Sequence, residues 1–106
     1  MSLYTYQASL TRVVDGDTVD VTVDLGFKIS YAIRIRLARI NAPEISTPEG
    51  IAARDYITTL LTPVVMIVTK KDSKDNYGRY LAEITNTTGV DVNQAMLDSG
   101  HAVPYP

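Results

Sequence analysis

Three polar clusters punctuate the chain: Asp15-Gly16-Asp17-Thr18, then Arg36 followed by Asn41-Ala42-Pro43-Glu44, then Asp75-Asn76-Tyr77-Gly78-Arg79. Each alone is what a turn uses, because Asp, Asn, Gly and Pro supply the backbone angles and local hydrogen bonds that turns need. Together they hold an acid, an amide, a glutamate and two arginines. Carboxylate and amide oxygens are hard ligands of the kind Ca²⁺ takes. Guanidinium matches phosphate oxygens bidentately and is always charged. A carboxylate beside a metal-side water completes the set. These are the parts that phosphodiester hydrolysis needs, since charge builds on the equatorial oxygens while water comes in line. The chain has no cysteine, and its one histidine, His101, stands far from the clusters in sequence. That argues against covalent thiol or zinc chemistry and leaves His101 as a structural or surface residue.

The elements that must position these residues follow from hydrophobic period. Thr18 to Asp24 alternates strictly, which predicts a half-buried strand with Val19, Val21 and Val23 inward. Tyr6 to Val14 is its expected partner, with Asp15-Gly16 at a tight hairpin between them. After a turn near Gly26, Ile33 to Leu37 alternates again, with Arg34 and Arg36 on the polar face. Thr47-Pro48-Glu49 starts a helix to about Leu61, with Thr47 as N-cap and Pro63 as its stop. Val64 to Thr69 and Arg79 to Ile84 are the last two strands, joined through a turn at Asp75 to Gly78. Asp91 with Gln94 opens a short final helix that Gly100 ends. A helix between strands three and four of a five-strand set is the OB-fold order. The expected fold is therefore mainly β with α, a five-stranded barrel formed by one domain over residues 1–106.

In this order the clusters closely resemble the staphylococcal nuclease (thermonuclease) family, from about Leu10 to Tyr105. The resemblance implies a Ca²⁺-dependent nuclease acting on DNA or RNA. Asp17 matches the family's carboxylate metal ligand, and Asp15 a nearby supporting acid. Asn41 falls where a second Asp ligand is usual, and Ala42 where a backbone carbonyl ligates. Glu44 matches the glutamate that orients or deprotonates water. Arg36 and Arg79 match the arginines on the scissile phosphate, and Tyr77 and Tyr105 resemble tyrosines of the nucleotide pocket. Two departures stand out: Asn41 removes a charge from the metal site, and Asn76 stands where well-known members carry a lysine. Both favour the alternative of a binding module of the same fold with weakened turnover.

Composition bounds the rest. The net charge of −2 argues against a strong non-specific grip on nucleic acid, which comes mostly from phosphate neutralisation. The longest apolar run, Val64 to Val68, is far too short to span a bilayer, and the N-terminus lacks the basic-then-apolar layout of a signal peptide. The expected partner is a single-stranded nucleic acid substrate, with no membrane and a monomeric state. Arg34 and Arg39 read as solvated strand residues. Lys70, Lys71 and Lys74 read as a solvated loop.

Overall fold

The structure, a computed structural model, describes residues 4–69 and 80–105. Tyr77, Arg79, the expected turn at Asp75 to Gly78 and the lysines at 70, 71 and 74 lie outside the described residues. Strands β1 (Thr5–Asp15), β2 (Thr18–Asp24) and β3 (Ser30–Leu37) form the expected meander. A two-residue β4 (Ile40–Asn41) precedes helix α1 (Pro48–Leu60), then come β5 (Val64–Val68), β6 (Tyr80–Asn86), α2 (Val92–Asp98) and a two-residue β7 (Val103–Pro104). The barrel closes in the order β1-β2-β3-β6-β5, with β4 and β7 as a separate small ribbon. With α1 between the third and fourth barrel strands, this is the OB-fold arrangement.

Alternation decides which residues fill the barrel. Val19, Val21 and Val23 are buried, as are Ile35 and Leu37 from β3 and Val65, Ile67 and Ile84 from the last two strands. Fully burying each of these side chains contributes roughly 1.5–3 kcal/mol. Helix α1 adds Ala53 and Ile57 to the same core, and α2 adds Val92 and Met96.

Both helices start as their caps dictate. The Thr47 hydroxyl accepts the Gly50 N–H at 3.0 Å, and Asp91 accepts the Gln94 N–H at 3.1 Å. The Gln94 side chain reaches forward to Asp98 rather than back to its cap, so only half of the expected box forms.

Both turns of the meander stand where expected, each with its own backbone geometry. The β1–β2 turn is tight, yet Gly16 is not among the glycines at positive φ. The β2–β3 turn carries positive φ at Gly26, Phe27 and Lys28, closed by the Ile29 N–H on the Gly26 carbonyl at 2.9 Å. Positive φ at both central residues is the primed geometry that matches strand twist in hairpins. Arg39 is a turn residue, not a strand residue, and its φ of 71° is left-handed. It holds Glu83 bidentately at 2.8 and 2.7 Å, while Arg34 holds Asp20 at 2.8 and 3.2 Å.

Candidate active site

Gly16 is required by contact rather than by backbone angle. A Cβ there would lie 2.7 Å from the Ala53 Cβ and 2.8 Å from the Ala42 Cβ. The β1–β2 turn therefore wedges between α1 and the segment leaving β4. That brings the Asp17 carboxylate onto the Ala42 N–H, which donates to Oδ2 at 2.9 Å. The Thr18 hydroxyl donates to Oδ1 at 2.9 Å. Asp17 is buried.

Arg36 pairs with Thr18 across β2–β3, so its side chain rises on the same side of the ribbon, next to Asp17. It is buried too, at 6% exposure. Its Nη2 donates to Asn41 Oδ1 at 3.1 Å and stands 3.6 Å from Asp17 Oδ2, while Nη1 donates to the Leu37 carbonyl at 3.2 Å. The Tyr105 ring covers the guanidinium, with Cζ 4.9 Å from the ring centroid, a cation–π contact. Tyr105 is brought there by β7, which pairs with β4, and by its N–H on the Arg39 carbonyl at 2.8 Å.

Asp15 stands behind this pair, its Oδ1 accepting the Asp17 N–H at 3.0 Å. Burial first, and then the neighbouring Asp17 carboxylate, push the Asp15 carboxyl up from 3.8 to about 6.

Glu44 is placed differently. It is exposed, and its carboxylate has no hydrogen bond or ion pair among the described residues. Its backbone is fixed instead: the carbonyl accepts from the Thr47 N–H at 3.0 Å and the Thr47 hydroxyl at 2.7 Å. Any Cβ at Gly50 would collide with the Glu44 carbonyl and approach the Ile45 nitrogen at 2.9 Å. Gly50 is thus what lets the loop after Asn41 fold onto the start of α1. A glycine inside the first turn of a helix was its sequence signal.

The structure thus brings Asp15, Asp17, Arg36, Asn41, Ala42 and Tyr105 together, and leaves the Glu44 side chain without a partner among the described residues. All donors on offer to a cation are oxygens, which suits Ca²⁺ in kind. Among the described residues no three His, Cys, Asp or Glu side chains cluster to hold a metal by themselves. The charge at the point where the Asp17 and Asn41 oxygens converge belongs to Arg36 Nη2. His101 takes a structural place that its distance in sequence did not locate. It is half-buried, stacks on Tyr56 at 4.6 Å, and shares a hollow with Asn41, Ala42 and Pro43.

No helix among the described residues is long and apolar enough to cross a membrane. Residues 34–106 match the model of the staphylococcal nuclease homologue family. The chain is 33% identical to the endonuclease YhcR of Bacillus subtilis over a 113-residue alignment covering 94% of this chain and 9% of that protein. It is 35% identical to an uncharacterized endonuclease of Escherichia coli O157:H7, covering 91% of this chain and 59% of the relative. To the micrococcal nuclease of Shigella flexneri it is 32% identical, over 94% of this chain and 59% of the relative. The chain thus spans less than two thirds of each of these proteins. With the match running from Arg34, ahead of Arg36, through α1 and β6 to Tyr105, the chain belongs to the staphylococcal nuclease homologue family.

Proposed function

We propose that this chain is a Ca²⁺-dependent nuclease that hydrolyses phosphodiester bonds of single-stranded DNA or RNA as a monomer. The observation that carries the reading is the buried Asp17–Arg36 pair, with Asn41 and Tyr105 closing around the same guanidinium. A buried cation fixed beside hard oxygens is a pre-set partner for a phosphate. Relatives named as nucleases support the choice of substrate.

In this reading Arg36 binds the scissile phosphate together with Arg79, and Tyr77 and Tyr105 line the nucleotide pocket. Glu44, exposed and without a side-chain partner among the described residues, orients or deprotonates the attacking water. Asp17, Asn41 and the Ala42 carbonyl would hold Ca²⁺, with Asp15 supporting Asp17. The ion, when bound, stabilises the charge that builds on phosphate oxygens. One observation favours a binding module with weakened turnover instead. Asn41 is neutral, and both side-chain oxygens meant for the metal face Arg36.

Denatured DNA and RNA incubated with the protein and Ca²⁺, with and without a chelator, separate the readings. Hydrolysis that the chelator stops is the expected result; hydrolysis that survives it overturns the metal dependence. Arg36→Lys should lower the rate roughly 10³-fold, by analogy with other phosphate-stabilising arginines, and keeps a cation beside Asp17 so the fold survives. Glu44→Gln should lower turnover while nucleotide binding stays. Binding without hydrolysis in the parent establishes the module.

A further inference from the structure

Beside the Arg36 centre lies a second concavity, a hollow of about 180 Å³ lined by Asn41, Ala42, Pro43, Gly100, His101, Ala102 and Val103. Asp17, Arg36 and Tyr105 do not line it, and only Asn41 and Ala42 belong to both places. We propose that this hollow is a nucleobase pocket, holding the base of a nucleotide next to the one whose phosphate sits on Arg36. The proposal rests on the nucleic-acid substrate proposed above.

Size is the first argument. The hollow is smaller than the roughly 300–1,000 Å³ of pockets that take drug-sized ligands, so it suits one planar ring and not a whole nucleotide.

Chemistry is the second. Pro43, Ala102 and Val103 give apolar walls, while Asn41 and His101 give polar edges. A base presents the same pairing of apolar faces and hydrogen-bonding edges.

The state of His101 is the third. Its ring is stacked on Tyr56 with centroids 4.6 Å apart and planes 27° from parallel, which fixes its plane. Neither ring nitrogen has a hydrogen-bond partner among the described residues; only the backbone N–H is engaged, with Ser99 Oγ at 3.4 Å. A neutral imidazole offers one donor and one acceptor, so a positioned ring with both nitrogens unspent is suited to read a base edge.

Continuity is the fourth. Asn41 accepts from Arg36 through its side-chain oxygen, and its backbone pairs with Val103 across β4–β7. A strand whose phosphate lies on Arg36 reaches the hollow by crossing one residue.

The single histidine makes the test direct, because its ring protons give the only imidazole signals in the protein's NMR spectrum. The protein, in chelator so that the strand stays whole, is titrated with oligothymidylate and with an abasic oligomer of equal phosphate count. The expected result is a saturable shift of the His101 signals with oligothymidylate and none with the abasic strand. Equal shifts with both strands, or none with either, overturn the pocket.

Hydrolysis with Ca²⁺ is measured separately. A base-dependent shift in a protein that hydrolyses neither strand overturns the nuclease reading and leaves the pocket standing. Where hydrolysis occurs, His101→Ala should cost about tenfold in kcat/KM on the base-bearing strand, mostly through KM, as expected for losing one base contact. It should leave the abasic strand unchanged, and His101→Phe, which keeps the stack on Tyr56 but has no ring nitrogen, should show the same loss. An equal loss on both strands would show that His101 only holds the fold.

Discussion

Asp15 and Asp17 are two residues apart, yet only Asp17 is braced by a cation. Arg36 stands 3.6 Å from Asp17, and the Ala42 N–H and Thr18 hydroxyl complete its partners. Asp15 accepts one N–H and has no ion pair among the described residues. Its carboxyl is therefore raised to about 6, mainly by burial, from an unfolded value near 3.8. Between those values the folded protein holds a proton that the unfolded chain has released. Stability then falls as pH rises from about 4 to 6, and the loss is complete above 6. The full rise corresponds to about 3 kcal/mol; with the group half open to solvent, roughly 1–2 kcal/mol remains. Asp15→Asn keeps the acceptor for Asp17 and removes the charge. Urea unfolding of the metal-free variant should show it more stable than the parent by that amount at pH 7.5 and equal near pH 4. An equal gain at both pH values would assign it to packing. At this scale the order of the polar clusters pointed to Asp17, Asn41 and Arg36, and the fold brings the three together. The sequence hid the proton on Asp15, which depends on burial, and the place of His101, which depends on how α2 and β7 return to Asn41.

Turns and caps show how element-level signals can be read in the wrong place. Asp15-Gly16 marked a tight hairpin and the hairpin forms, but Gly16 is there because Ala42 and Ala53 leave no room for a Cβ rather than for its backbone angle. The primed geometry falls instead on Phe27 and Lys28, at φ 56° and 61°, with no Asn-Gly signal to mark it. A left-handed conformation costs an L-residue about 1–2 kcal/mol, and Phe27 recovers nothing by packing, being 96% exposed. Phe27→Asn with Lys28→Gly should therefore stabilise the protein by roughly 1–2 kcal/mol, less the flexibility glycine adds to the unfolded chain. Thermal denaturation should show a rise of at least about 5 °C; an unchanged or lower Tm would mean the turn is not strained as its angles indicate. Asn93 is another element-level device that composition conceals. It is fully buried, accepts the Ile84 N–H at 3.0 Å, and donates to the Ala38 and Ala82 carbonyls at 2.9 and 3.1 Å. By sequence it is one polar residue on a short helix. In the fold it satisfies the Ile84 N–H and the Ala38 carbonyl, and shares the Ala82 carbonyl with the Ala38 N–H.

At the scale of the molecule, the order of strands and helices was readable from period and punctuation, while the closure of the barrel was not. Closure depends on β3 meeting β6 in parallel, Ile35 to Tyr80, Arg36 to Leu81 and Leu37 to Ala82, residues distant in sequence with no local signal of their pairing. Among the described residues it is the shortest run of strand pairing in the barrel. Past Ala82 the described ladder continues through the Ala38 N–H on Ala82 and through Asn93. A seam so short is where the molecule should breathe: opening there leaves both hairpins intact and exposes few amides. Hydrogen exchange followed by NMR should find Ala38 and Ile84 less protected than Val19 and Val21; equal protection would mean that the barrel opens only when the whole fold does. The seam also has lips. Arg36 lies on one, and its partner Leu81 on the other. A phosphate bound on Arg36 that also touched β6 would staple the lips together, so nucleotide should slow exchange at Ala38 and Ile84 in step with its occupancy.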